Sequence, residues 1–65
     1  MTDEDLKKCY GLFTDLWHLV KAYHNSHKNE EWEQLTNRCS DLVDKYGIRT
    51  RSLVLDTLEL IERGF

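Results

Sequence analysis

The sequence predicts an all-α fold, a compact antiparallel three-helix bundle with one long N-terminal helix. Three observations predict it. The 65 residues are 40% hydrophobic and 32% charged, with no Pro and three Gly, a composition of helical bundles rather than of disordered or β-rich chains. Apolar residues recur at spacings of three and four in three successive segments. Capping and turn residues bound each of those segments. A chain of this length makes one domain, residues 1–65, near the lower limit at which a single core folds unaided.

The first helix is expected over about 3–27. Thr2 and Asp5 make a capping box, and Asp3 and Glu4 suit the positive helix end. Leu6, Cys9, Phe13, Leu16, Val20 and Tyr23 form an amphipathic seam on a helix about 37 Å long at 1.5 Å per residue. Tyr10 and Trp17 widen the seam on one flank, Leu12 and Leu19 on the other, so the apolar arc takes up about half the circumference. One partner helix covers less than that. The opposite face carries Lys7, Lys8, Thr14, Asp15, His18 and Lys21. Gly11 falls on that polar face, where it costs up to about 1 kcal/mol against Ala. It is either tolerated on a solvated surface or required by the close approach of a partner or ligand. Lys21, His24, His27 and Lys28 gather at the helix's negative pole.

Residues 25–29 read as a turn, with Asn29 as N-cap of a second helix over about 30–46 and Glu30, Glu31 and Glu33 in its first turn. Its stripe, Trp32, Leu35, Cys39, Leu42, Val43 and Tyr46, is narrower than that of the first helix. In a hairpin Trp32 falls level with Tyr23, forming an aromatic cluster. Gly47 ends the helix as a left-handed residue, with Ile48 folding back on Val43. The third helix is expected over about 51–63. Leu53, Val54, Thr57, Leu58, Leu60 and Ile61 face inward, and Leu55 faces out beside Glu59 and Glu62. Phe65 continues the inner stripe, so the C-terminus is expected to dock.

Several functional classes are disfavoured. A net charge of −3 argues against general nucleic-acid binding. There is no long apolar run to cross a membrane, and the acidic start is the opposite of a signal peptide's basic lead. Cys9 and Cys39 sit on apolar stripes about two helical turns apart in a hairpin, too far for a disulfide, and read as reduced core thiols. His24 and His27 are three apart, but no Cys-x-x-Cys or His-Glu-x-x-His pattern adds ligands, so no metal or other cofactor is expected. Apolar surroundings suppress a reactive thiolate, and the carboxylates are spread over solvated faces. The chain is expected not to be an enzyme.

Two constellations stand out. Arg49 and Arg51, with the hydroxyls of Thr50 and Ser52, lie at the N-terminal end of the third helix, while Asp56, Glu59 and Glu62 lie toward its negative end. This reverses the arrangement the helix dipole favours. With the free backbone N–H groups of the helix end, these side chains either bind a phosphate or carboxylate or pair with acidic residues such as Glu30 to Glu33 or those of another subunit. The second is a surplus of apolar side chains. Tyr10, Trp17, Leu19 and Leu55, together with Leu12, exceed what two short helices bury, which marks an interface and points to a homo-oligomer.

The segments Leu16-Trp17, Lys21-Ala22-Tyr23, Glu31-Trp32-Glu33-Gln34-Leu35, Lys45-Tyr46-Gly47 and Leu58-Glu59-Leu60-Ile61-Glu62-Arg63 resemble a group of small all-helical proteins encoded by phages and prophages of Gram-positive bacteria. The resemblance covers most of the chain through helix-packing motifs and brings no catalytic residues. It implies a phage accessory protein in the host cytoplasm. The function expected is a non-enzymatic module that modulates or inhibits a host protein through a helical surface, as in counter-defence or anti-CRISPR-type inhibition. The alternatives are an oligomer that sequesters an anionic nucleotide, held by Arg49, Arg51 and a stacking aromatic, and a purely structural assembly protein.

Overall fold

The computed structural model describes residues 1–25 and 28–65. Three helices, α1 (Asp3–Tyr23), α2 (Asn29–Tyr46) and α3 (Arg51–Arg63), pack mutually, with a 3₁₀ turn at Ile48–Thr50 feeding directly into α3. The three-helix bundle expected from periodicity is the observed architecture.

Local chemistry explains the start of α1. The Thr2 hydroxyl accepts from the Asp5 N–H at 3.2 Å, and the Thr2 N–H donates to the Asp5 carboxylate at 3.1 Å. That reciprocal box satisfies helix-end donors that have no intrahelical partner. It also holds the Asp5 carboxyl below its ordinary value, through the backbone bond first and the hydroxyl second. α1 closes at Tyr23, four residues short of the expected end, with the His24 N–H donating to the Val20 carbonyl. Residues 26 and 27 lie outside the described residues, and with them His27. α2 begins one residue early. Lys28 is its N-cap and makes no side-chain cap bond, so Asn29 is the first helical residue rather than the cap.

Gly47 ends α2 as expected, at a φ of +105° that favours glycine, with its N–H on the Val43 carbonyl at 2.8 Å. Its ψ of 160° is extended rather than left-handed helical. The chain therefore leaves α2 into the 3₁₀ turn, and Ile48 stays 70% exposed instead of folding back on Val43. Phe65 is fully exposed, so the expected docking of the C-terminus does not occur. Gly64, with φ +73°, has already turned the chain off the α3 stripe.

The core is Leu12, Leu16, Leu19 and Tyr23 from α1, Leu35 and Cys39 from α2, and Val54 from α3. Leu35 and Val54 are completely buried, and burying a Leu side chain contributes about 1.5–3 kcal/mol. Half-buried Trp32, Leu42, Val43, Tyr46, Leu53, Leu58 and Ile61 surround them. Trp32 and Tyr23 thus share the core beside the turn, and the Arg38 guanidinium lies 5.9 Å from the Tyr23 ring centroid. The α2 stripe is the expected one. On α3 only Leu60 departs, lying at the exposed rim.

α1 is rotated relative to expectation. Its buried residues are Leu12, Leu16, Leu19 and Tyr23: Leu16 and Tyr23 are inside as expected, Leu12 and Leu19 move in from the flank, and Leu6 and Phe13, expected inside, are exposed. Gly11 explains the rotation. A Cβ at Gly11 would stand 2.8 Å from the Tyr46 hydroxyl oxygen, so the bare backbone lets α2 close against this side of α1. The close approach is intramolecular, and Gly11 is not on a solvated polar face.

Candidate functional site

Rotating α1 into its own bundle leaves a second apolar face uncovered. Leu6, Tyr10, Phe13 and Trp17 are 56%, 77%, 57% and 59% exposed. Their spacings of four, three and four are those of a heptad seam. The core-facing set Leu12, Leu16, Leu19 and Tyr23 has the same spacings, offset by six residues, which is about 120° around the helix. α1 therefore carries two seams. α2 lies on the Gly11–Asp15 side, so the uncovered ridge lies away from α2. Half-buried Cys9 and Val20 fill the arc between the seams. The Thr14 hydroxyl donates to the Tyr10 carbonyl at 2.7 Å, a local bond within the helix.

Of the residues expected at an interface, Tyr10 and Trp17 stand on this ridge and Leu55 is exposed elsewhere. Leu19 is 6% exposed and belongs to the core, a correction that follows from the rotation of α1. Leu55 borders a groove of about 270 Å³ between α2 and α3, with Cys39, Val43, Ile48, Val54 and Leu58. It is not brought together with Tyr10 and Trp17. Leu6 and Phe13 were missed, although the repeat of four, three and four beginning at Leu6 was visible beside the one beginning at Leu12.

On the opposite side, an open groove of about 390 Å³ runs between α1 and α2, with Leu19, Ala22 and Leu42 among its lining residues and charged side chains at its rim. The Tyr46 hydroxyl donates to the Asp15 carboxylate at 2.6 Å, and the Lys45 ammonium reaches the same oxygen at 3.4 Å. Lys45 also stands 5.1 Å from the Tyr46 ring centroid. The Tyr46 hydrogen bond, followed by the charge of Lys45, holds the Asp15 carboxyl below its ordinary value. The same carboxylate pushes the Tyr46 hydroxyl up. A carboxylate so stabilised is a poorer proton acceptor than a free one. The trio's chemistry is that of a clamp between helices. His18, Arg38 and Asp41 complete the rim of the groove.

The Arg49, Thr50, Arg51 and Ser52 group is split, with Arg49 and Thr50 in the 3₁₀ turn and Arg51 and Ser52 in the first turn of α3. Thr50 donates both its N–H, at 3.0 Å, and its hydroxyl, at 2.7 Å, to the Gly47 carbonyl. The Arg51 N–H bonds to the Ile48 carbonyl. Three of the donors expected to meet an anion are thus used internally. Arg49 and Arg51 are both exposed, the first in the 3₁₀ turn and the second at the first position of α3. Among the described residues neither forms an ion pair, so the expected pairing with Glu30 to Glu33 is absent there.

Cys9 and Cys39 are both free thiols. Cys39 is buried and its thiol is pushed up by desolvation. Cys9 is half-buried, with its sulfur 3.8 Å from that of Met1. Among the described residues no group of three His, Cys, Asp or Glu side chains is placed to hold a metal ion. Among them, too, no helix is long and apolar enough to cross a membrane.

The chain matches no protein-family model, no characterised protein and no solved structure.

Proposed function

We propose that this chain is a non-enzymatic protein-binding module whose working surface is the α1 ridge of Leu6, Tyr10, Phe13 and Trp17. One observation carries the reading: four large apolar side chains in a single row, each more than half exposed. A monomer seldom leaves so much contiguous apolar area in water. Tyr and Trp are also the residue types on which binding energy concentrates. The resemblance to small phage and prophage proteins supplies the setting, a host cytoplasm in which the module modulates or inhibits a bacterial defence protein.

The test is affinity capture from a bacterial host lysate with the native chain and with a Tyr10→Ser/Trp17→Ser variant of unchanged helical circular dichroism. The expected result is a stoichiometric protein retained by the native chain and lost by the variant. Identical retention by both chains refutes the assignment of the ridge.

A further inference from the structure

We propose that the α1 ridge pairs with a second copy of this chain, the two α1 helices running antiparallel about a two-fold axis between Gly11 and Leu12. The proposal rests on the reading of the ridge as a docking surface; self-pairing and host-protein binding compete for it, and the second copy occupies it when no host protein is bound.

Spacing is the first argument. Leu6, Tyr10, Phe13 and Trp17 occupy successive core positions of a heptad repeat, which Val20 continues. Such a row is satisfied by another helix laid along it at a shallow angle, knobs into holes. It spans about 16 Å, three helical turns, and α1 is exposed along that length.

Size matching is the second. About the proposed axis, residue positions in the two copies add to 23. Leu6 then lies opposite Trp17 of the second copy and Tyr10 opposite its Phe13, so the largest side chain meets the smallest. A parallel pair stacks Trp17 on Trp17 and Leu6 on Leu6, with a bulge at one end and a gap at the other, which close packing disfavours.

Charge is the third. The solvent flank of the ridge carries Asp3, Lys7, Thr14 and Lys21 in that order. In the antiparallel pair Asp3 falls within one residue of Lys21 of the second copy, at both ends by symmetry, and Lys7 passes Thr14. A parallel pair sets this flank against the opposite flank of the ridge, where Cys9 lies, and leaves Asp3 and Lys21 at opposite ends of the pair. The helix dipoles also oppose one another only in the antiparallel arrangement.

Area is the fourth. With side-chain areas of about 200 Å², the exposed fractions of the four residues amount to roughly 500 Å² per copy and about 1,000 Å² for the pair. The roughly 500 Å² from each copy is about a tenth of the 5387 Å² surface of the chain, the share a standard interface takes from a small protein. It reaches the lower bound for a specific interface, so a concentration-dependent dimer is expected.

Sedimentation velocity on the full chain, from about 1 µM to about 1 mM, brackets interfaces of this size. The expected result is a shift from the 7.8 kDa chain toward twice that mass. Tyr10→Glu or Trp17→Glu should remove the shift, with helical circular dichroism retained. Asp3→Lys and Lys21→Asp should each weaken association by roughly 3- to 10-fold, and the two together should restore it. A monomer at every concentration overturns the proposal, and so does a dimer indifferent to the ridge substitutions. Failure of the double charge reversal to restore association overturns the antiparallel orientation. The functional reading fails separately: a monomer whose ridge variant still loses its captured host protein refutes only the dimer. A dimer split by Trp17→Glu, with host-protein capture unchanged, refutes only the assignment of the ridge to host binding.

Discussion

Replacing Gly11 by Ala is the sharpest probe of how α1 meets α2. On an exposed helix this substitution stabilises by about 1 kcal/mol, the difference in helix propensity. Here the new Cβ would lie 2.8 Å from the Tyr46 hydroxyl oxygen but 3.7 Å from the nearest ring carbons. The conflict is thus with one atom. That atom is held by a 2.6 Å hydrogen bond to Asp15, which stands on α1 one turn beyond Gly11. Relief requires the ring to shift by several tenths of an ångström and the hydroxyl to leave Asp15. Overpacking of this kind costs about 1–3 kcal/mol, so Gly11→Ala is expected to destabilise by about 1 kcal/mol net. At a urea m-value of about 1 kcal/mol/M for a chain this small, the midpoint falls by about 1 M. In a Tyr46→Phe background the clashing atom is gone and the ring carbons make ordinary contact. There Gly11→Ala should stabilise by the full propensity difference, about 1 kcal/mol. The assay is urea unfolding followed by circular dichroism, at one fixed protein concentration for all four chains, because any self-association also shifts the midpoint. Equal stabilisation by Gly11→Ala in both backgrounds refutes the reasoning.

Three further outcomes follow from the same contacts. Asp15 and Asp5 are held below the ordinary carboxylate value of 3.8. Their contribution to stability is fully present above that value and is lost as pH falls through the lower folded values; acid titration of the urea midpoint should show a decline beginning near about pH 4, made shallower by Asp15→Asn. Cys39 is buried with its thiol pushed up, whereas Cys9 is half-buried, so alkylation of the folded chain followed by mass spectrometry should modify Cys9 first. Equal rates would mean that the core opens as fast as the reagent reacts. Leu35→Ala removes a fully buried side chain at a cost of about 2–5 kcal/mol, comparable to the whole stability of a domain this small, and should abolish the cooperative thermal transition seen by circular dichroism.

How far the structure was legible differs from helix to helix. On α2 a single narrow stripe leaves one way to face a core, and Leu35 and Cys39 are buried as periodicity predicts. On α3 the same logic places Val54 inside and Leu55 outside. α1 carries two seams about 120° apart, and their average direction, through Cys9 and Val20, is the one that periodicity selects. Neither seam points there. The candidate site suffers for the same reason: Tyr10 and Trp17 are rightly exposed, Leu19 is assigned to the wrong seam, and Leu6 and Phe13 are lost from the ridge. The arginine group fails differently. The Thr50 hydroxyl and the Thr50 and Arg51 amides are expected to be free, but the Gly47 and Ile48 carbonyls take them at the 3₁₀ turn, which residue types alone do not reveal.

The sequence by itself determined what depends on neighbours within a turn or two. These are three helices, the Thr2–Asp5 box, the stop at Gly47, the stripes of α2 and α3, and an apolar surplus on α1. Such features follow from backbone geometry and local hydrogen bonding. Only the tertiary structure decided which α1 seam the bundle uses and which it leaves in water. That choice turns on the contact of Gly11 and Asp15 with Tyr46, residues more than thirty positions apart. Helical periodicity specifies the angle between two seams but not their rotation about the axis, which side-chain packing against another helix alone supplies.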